Sequence, residues 1–265
     1  MAKTMLEIRD LTCGYEKFYL REMSFRVGKG ELIGIIGPNG SGKTTLLKAI
    51  TGTLKPQKGE ILLKEKNIRH MGFRELARTV AVVSQNIPAS FMTVEEFVLL
   101  GRIPHYSRLQ FLETKKDEEI AKKYMSMTDT LTYQHQPMEE ISGGERQLAV
   151  VARALAQEPE LLLLDEPTSH LDIKHQTAIL DLVRELNRNS HLTVMMVLHD
   201  LNLASEYCDR LVLLNNGSIH RIGTPAEVLT FQVIEEVYET VVVVEKNPIS
   251  QKPYVLVVSG QNYKK

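Results

Sequence analysis

Tryptophan is absent from the sequence, cysteine occurs only twice, and neither sign of charge is in excess. Each shortage removes a class of protein. Cys13 and Cys208 have no metal-type spacing and no C-x-x-C partner, which argues against a disulfide framework or a thiolate metal site and predicts two reduced, packed thiols in a reducing compartment. Lys plus Arg total 32 against 33 Asp plus Glu, a formal charge of −1, so the long-range pull that a basic domain exerts on nucleic acid is missing. No stretch of about 18 apolar residues runs without charge. The richest, residues 148–164, is broken by Arg153, Gln157, Glu158, Pro159 and Glu160. Residues 1–10 carry Glu7 and Asp10 and lack the apolar run of a signal peptide, so an unexported chain is expected, with any membrane role supplied by a partner.

What is present is 43% apolar residues in a chain of 265, enough to bury the core of one large or two small domains. Before residue 60 short strands and turns dominate: residues 5–9, 20–27, a Gly28-Lys29-Gly30 turn, and the apolar run 32–36. A glycine loop follows, then Leu46, Leu47, Ala49 and Ile50 on the apolar side of a helix that Gly52 closes. Residues 59–63 resume a strand pattern. From 86 to 159 helix signals prevail, including the capping box Thr93-Val94-Glu95-Glu96, which marks a helical insertion. Residues 161–164, 193–198 and 211–214 read as core strands. An amphipathic helix carrying Ile179, Leu182, Val183 and Leu186 separates the first two, and this alternation predicts a mainly parallel sheet. Asn216-Gly217 marks a hairpin, Thr224-Pro225-Ala226-Glu227 a helix start, and residues 241–244 with 254–258 a closing hairpin.

Three segments carry chemistry. Gly37-Pro38-Asn39-Gly40-Ser41-Gly42-Lys43-Thr44-Thr45 contains G-x-x-x-x-G-K-[ST] between a strand and a helix: backbone N–H groups can surround a phosphate, Lys43 offers a point charge, and Thr44 can ligate Mg²⁺. Four leucines, Leu161 to Leu164, end in Asp165-Glu166. The first carboxylate can hold Mg²⁺ and the second can polarise an attacking water, although a strand ending in Asp-Glu-Pro also suits a plain turn. Ser142-Gly143-Gly144-Glu145-Arg146-Gln147 places a capping box at the start of a long helix. It is either a helix end left open to an anion by two glycines or simply a well-capped core helix.

In this order, and with Gln85, the Ser169-His170-Leu171-Asp172 turn and His199, the motifs resemble the ATPase subunit of ABC transporters over nearly the whole chain. The resemblance implies an α/β phosphate-loop NTPase with a mainly parallel core sheet, an antiparallel β subdomain and a helical insertion. The core with its β subdomain would span 1–85 and 160–265, and the helical subdomain 86–159. It also implies ATP and Mg²⁺ as ligands. Tyr15 would stack on adenine, Gln85 would meet Mg²⁺ and water, Glu166 would be the general base, and His199 would hold the γ-phosphate. Residues 142–145 would complete the nucleotide site of a second copy, so a homodimer is expected. Ile141, Glu145 and His170 depart from the usual family pattern, and Glu145 sets a negative charge near an expected phosphate.

Residues 98–105, followed by a charged stretch to Glu119, are similar to importer ATPases serving iron-siderophore, haem and cobalamin uptake, as are Val197-Leu198-His199-Asp200-Leu201-Asn202 and Gly223-Thr224-Pro225. In that group the insertion receives a helix from the membrane subunit. The expectation is therefore an ATP-hydrolysing importer subunit, held at the cytoplasmic face of the membrane by a permease, indirectly linked to a substrate-binding protein, with no nucleic-acid partner. A soluble ABC ATPase of DNA repair, translation or cluster assembly would need a long coiled coil between Gln85 and Ser142, a second cassette or a basic face. A kinase or switch GTPase would need an acceptor pocket or a guanine-reading Asn-Lys-x-Asp. Neither set of features is visible.

Overall fold

A bulge in the first strand decides which residues face the interior. The computed structural model describes residues 3–16, 18–84, 91–107 and 109–259, and the chain divides into two compact units, Met1–Arg69 with Met195–Lys265, and His70–Val194. In the first unit β1 (Thr4–Tyr15) pairs antiparallel with β2 (Phe18–Gly28), Leu6 opposite Val27 and Cys13 opposite Leu20. Asp10 adopts a φ of 45° and the register shifts between Ile8 and Leu11. The buried positions thereby change from Leu6 and Ile8 to Leu11 and Cys13.

Strand β3 (Leu32–Ile36) is buried along its whole length and feeds helix α1 (Lys43–Ile50) through the glycine loop. Gly52, with a φ of 73°, follows the helix end. β4 (Lys58–Leu63) pairs with the other edge of β1 and carries the short β5 (Lys66–Asn67), giving a separate antiparallel sheet in the order β2-β1-β4-β5.

The second unit begins with α2 (Phe73–Thr79), β6 (Val80–Val83), α3 (Val94–Leu99), α4 (Lys115–Met127) and α5 (Gly143–Ala156). β7 (Leu161–Asp165) runs parallel to β6, from Val80 opposite Leu161 to Val83 opposite Leu164. α6 (Ile173–Ser190) follows, its buried stripe running through Ile179, Leu180, Val183, Leu186 and Asn187. Leu182, expected inside, is half-buried, because the stripe is centred one residue away. Arg102, 3% exposed, ties the segment after α3 to α4 and to the end of α5. Its guanidinium donates to Asp117 at 3.1 Å, Glu158 at 2.9 Å and the Ala156 carbonyl at 2.6 Å. Burial opposes the Asp117 charge, but hydrogen bonds from Thr114 and Arg102 outweigh it and bring the carboxyl down to about 2.

β8 (Thr193–Val197) crosses the division and returns the chain to the first unit, where it lies beside β3. α7 (Leu201–Tyr207) and β9 (Arg210–Asn215) follow, β9 parallel to β3 with Ile33 opposite Arg210. Asn216 and Gly217, with φ of 47° and 78°, form the tight turn into β10 (Ser218–Gly223), as Asn-Gly predicts. α8 (Pro225–Val228), α9 (Phe231–Tyr238) and the hairpin of β11 (Val242–Lys246) and β12 (Pro253–Val257) complete the chain. Parallel pairing at β3–β9 and β6–β7, with β10 added antiparallel to β9 by the hairpin, bears out the α/β expectation. Cys13 and Cys208 are buried outside any disulfide, as expected of packing residues.

Candidate functional site

In the first unit, the end of β3 and the start of α1 frame the loop of residues 37–42. Gly37, Gly40 and Gly42 have φ of 146°, 78° and 105°, a backbone that side-chain-bearing residues resist. A Cβ on Gly37 would lie 2.2 Å from the Leu214 carbonyl oxygen, so the loop is pressed against the end of β9, whereas Gly40 faces open space. Pro38 is half-buried and Asn39 exposed. Lys43, 6% exposed, curls back to donate to the carbonyls of Gly37 at 2.8 Å and Pro38 at 3.0 Å, which holds an ammonium inside the loop. The Ser41 hydroxyl is buried and has no hydrogen-bond partner among the described residues. Thr44 is exposed and Thr45 half-buried in the first turn of α1, which starts directly where the loop ends. An ammonium, an unpaired hydroxyl and a helix N-terminus around one backbone ring make an anion cradle.

His199 lies just past β8, where the Leu198 N–H donates to the Ile35 carbonyl at 3.1 Å. The histidine is thereby set beside the strand that leads into the loop. Asp200 caps α7, accepting from the N–H groups of Asn202 and Leu203. Tyr15 ends β1, 49% exposed, with the Lys48 ammonium of α1 5.8 Å from its ring centre.

In the second unit, β7 delivers Asp165 and Glu166 half-buried at its end, Glu166 with a φ of 52°. The Ser169 hydroxyl donates to the Glu166 carboxylate at 3.1 Å, which orients it across the following turn. His170 takes a φ of 64° in that turn, a left-handed backbone in which histidine is enriched among side-chain-bearing residues. Asp172 caps α6, accepting from both the backbone N–H and Nδ1 of His175 at 2.9 Å.

Ser142 and Glu145 form the expected capping box on α5. The Glu145 carboxylate accepts from Tyr133 and from the Ser142 N–H, and these hydrogen bonds hold it below the usual carboxylate range. It is thus turned onto its own helix end. The two glycines differ: Gly143 faces open space, but a Cβ on Gly144 would meet the His175 ring at 2.4 Å. Only one of the two therefore leaves the helix end accessible. Tyr133 and His175 were not foreseen, since both act through contacts distant in sequence. Gln85 lies outside the described residues.

Among the described residues no group of three or more His, Cys, Asp or Glu could hold a metal by itself. Thr44 in the first unit and Asp165 in the second each carry oxygen donors, the kind that suits a hard cation rather than a thiolate- or imidazole-bound metal.

The ABC transporter family pattern matches residues 20–169. The ferric enterobactin transport ATP-binding protein of Escherichia coli (strain K12) is 37% identical over 263 residues, covering 97% of this chain and 96% of that one. A petrobactin import ATP-binding protein of Bacillus anthracis is 39% identical over 240 residues, covering 90% and 87%. The ABC transporter ATP-binding protein YvrA of Bacillus subtilis (strain 168) is 41% identical over 95% of this chain, which spans 58% of that longer relative. Among solved structures, a transporter described as of metal-chelate type, in an inward-facing conformation, matches with a TM-score of 0.86 at 25% identity, covering 98% of this chain and 99% of that one. A dimeric ATP-binding cassette in a post-hydrolysis state, bound to ADP and phosphate, matches with a TM-score of 0.74 at 28% identity, covering 83% and 99%.

Proposed function

The chain belongs to the ABC transporter family, and from that premise we propose that it is the ATP-hydrolysing subunit of an importer for iron–siderophore chelates, working in pairs beneath a separate membrane permease. The observation that carries the ATPase chemistry is the anion cradle, with Lys43 held inside a loop that also presents the unpaired Ser41 hydroxyl and the first turn of α1. The cargo class rests on relatives named for ferric enterobactin and petrobactin. The resemblance in sequence extends to importers of haem and cobalamin, so these chelates are the wider class of the proposal.

In this proposal residues 37–45 wrap the phosphates and Tyr15 stacks on the adenine. Thr44, Gln85 and Asp165 would hold Mg²⁺, which when bound offsets charge on the transferring phosphoryl group. Glu166, oriented by Ser169, accepts a proton from the attacking water as the bond between the β- and γ-phosphates breaks, giving ADP and inorganic phosphate. His199 holds the γ-phosphate. Residues 142–145 of each copy face the nucleotide of the other, so ATP draws two copies together and its products release them. The helical subdomain, residues 86–159, receives the permease, and the core, 1–85 and 160–265, carries the nucleotide. Among the described residues no helix is long and apolar enough to cross a membrane; the path for the cargo belongs to the permease, with a substrate-binding protein on its far side and this chain at its cytoplasmic face.

Between Gln85 and Ser142 the described α-helices are α3, of six residues, and α4, of 13. Neither supplies the long coiled coil that the DNA-repair reading requires. The test is to purify the tagged full chain from gently solubilised native membranes and measure its ATP hydrolysis with the proteins it brings along. A polytopic permease that raises the hydrolysis rate supports the proposal. Ribosomal, DNA-repair or cluster-assembly proteins in its place refute the transport role.

A further inference from the structure

Inside the second unit, one side chain touches both segments that the pairing mechanism assigns to the dimer seam. The His175 ring packs against the Gly144 backbone at the start of α5, close enough that a Cβ there would meet Cδ2 at 2.4 Å, Cγ at 2.5 Å and Nε2 at 2.7 Å. The same ring donates through Nδ1 to Asp172 at 2.9 Å, and the His175 backbone N–H donates to the same carboxylate oxygen at 2.9 Å. These bonds hold the Asp172 carboxyl below its ordinary range, so it is the anion that accepts them. Glu145 also feels the imidazole, which favours its charged form.

We propose that His175 is a positioning residue that locks the start of α5 and the Asp172 turn into one rigid piece, so that both reach the partner copy in a single docking geometry. The inference rests on the paired ATPase reading. Its physical basis is that packed contacts have discrete arrangements: with the ring in place, α5 cannot turn about its first residues without breaking the Asp172 contact. Gly144 is then required by packing, and Gly143, which faces open space, by access for the partner's nucleotide.

The test uses the full chain carrying Glu166→Gln and reads ATP-driven dimerisation by light scattering. Affinity for a fluorescent ATP analogue is measured alongside, in the dilute monomer. His175→Ala should weaken dimerisation about tenfold or more while leaving monomer affinity within about twofold, because the proposed role acts on the seam with the partner copy and not on the phosphate loop. His175→Asn, which keeps an N–H donor for Asp172, should recover part of the loss. Gly144→Ala should also weaken dimerisation, and adding His175→Ala to it should cost little more, because the ring it strikes is gone. Thermal melts followed by circular dichroism separate these effects from failure to fold. Wild-type dimerisation by a folded His175→Ala chain, or equal losses in dimerisation and monomer affinity, would overturn the proposal. If the Glu166→Gln parent itself fails to pair with ATP, the paired reading falls and takes this inference with it.

Discussion

Glu145→Gln is the change whose two consequences should run in opposite directions. The glutamine keeps an oxygen to accept from the Ser142 N–H and from Tyr133, so the capping box survives, but the negative charge at the start of a 14-residue helix is lost. A carboxylate at that position stabilises the helix by about 0.3–1 kcal/mol. For a domain of this size, that is a fall in melting temperature of roughly 1–4 °C. The same charge stands one turn from the helix end that the partner's nucleotide would approach. At an effective dielectric constant of about 20 and a separation of about 8 Å, two unit charges repel by about 2 kcal/mol. Salt at about 0.15 M cuts this roughly threefold. The remaining ~0.7 kcal/mol is about threefold in affinity per site, or about tenfold for a symmetric pair. A less stable chain that pairs more tightly is therefore expected, read by melting and by ATP-driven dimerisation in the Glu166→Gln background. The sign of the pH dependence follows from the depressed carboxyl. Its stabilisation is complete above the ordinary glutamate pKa and is lost as pH falls through the lower folded value, so the two melting curves should converge on acidification. Weaker pairing by Glu145→Gln would refute the reasoning, because the carboxylate would then be attracting something at the seam.

Lys43→Ala removes the buried ammonium from the loop and should weaken ATP binding about 30-fold or more, measured by calorimetric titration; an unchanged Kd would mean that the loop is not the site. Glu166→Gln should preserve ATP binding while turnover falls about 10²–10⁴-fold in a phosphate-release assay, and normal turnover would remove its role as base. Gly37→Ala forces a Cβ to 2.2 Å from the Leu214 carbonyl at a φ of 146°, so stability in urea should drop by about 2 kcal/mol or more. Burial pushes the Cys13 thiol up to about 11, and a thiol reagent at pH 8 should leave it unmodified until the chain is unfolded.

The segments with strong local signals were legible in the sequence. β3, the glycine loop and α1 follow one another as the apolar run, the G-x-x-x-x-G-K-[ST] pattern and the leucine spacing require. The capping boxes at Thr93 and Ser142 and the Asn216-Gly217 turn appear where expected, since each depends on residues within a few positions. β1 extends six residues beyond the five expected at 5–9 and one before them, because the bulge at Asp10 interrupts the period-two pattern that identifies a strand. β6 went unread although Val80 to Val83 is an apolar run, which by periodicity alone suits a strand or part of a helix; pairing with β7 decides it. The capping box of Thr114 and Asp117 at the start of α4 is likewise a local signal, set within four residues. The contacts of Tyr133 with Glu145 and of His175 with Gly144 had no such signal, because they join residues 12 and 31 positions apart through the packing of different elements.

A chain with a formal charge of −1 has no net attraction for a polyphosphate, so any affinity must be built locally. The described residues do this with few full charges. Lys43 is held by two carbonyls in a loop that needs three positive-φ glycines, so its charge is fixed in place before a ligand meets it and the ordering cost is met in folding. α5 presents a bare backbone end at Gly143, while its own carboxylate is spent on the cap. These are short-range devices, useful within a few ångströms and to a group placed against them. That suits a proposed site assembled from two copies. In the proposed pair a lone subunit would offer the phosphates one helix end and one ammonium, and pairing would bring a second helix end, so nucleotide retention would then depend on the partner being present.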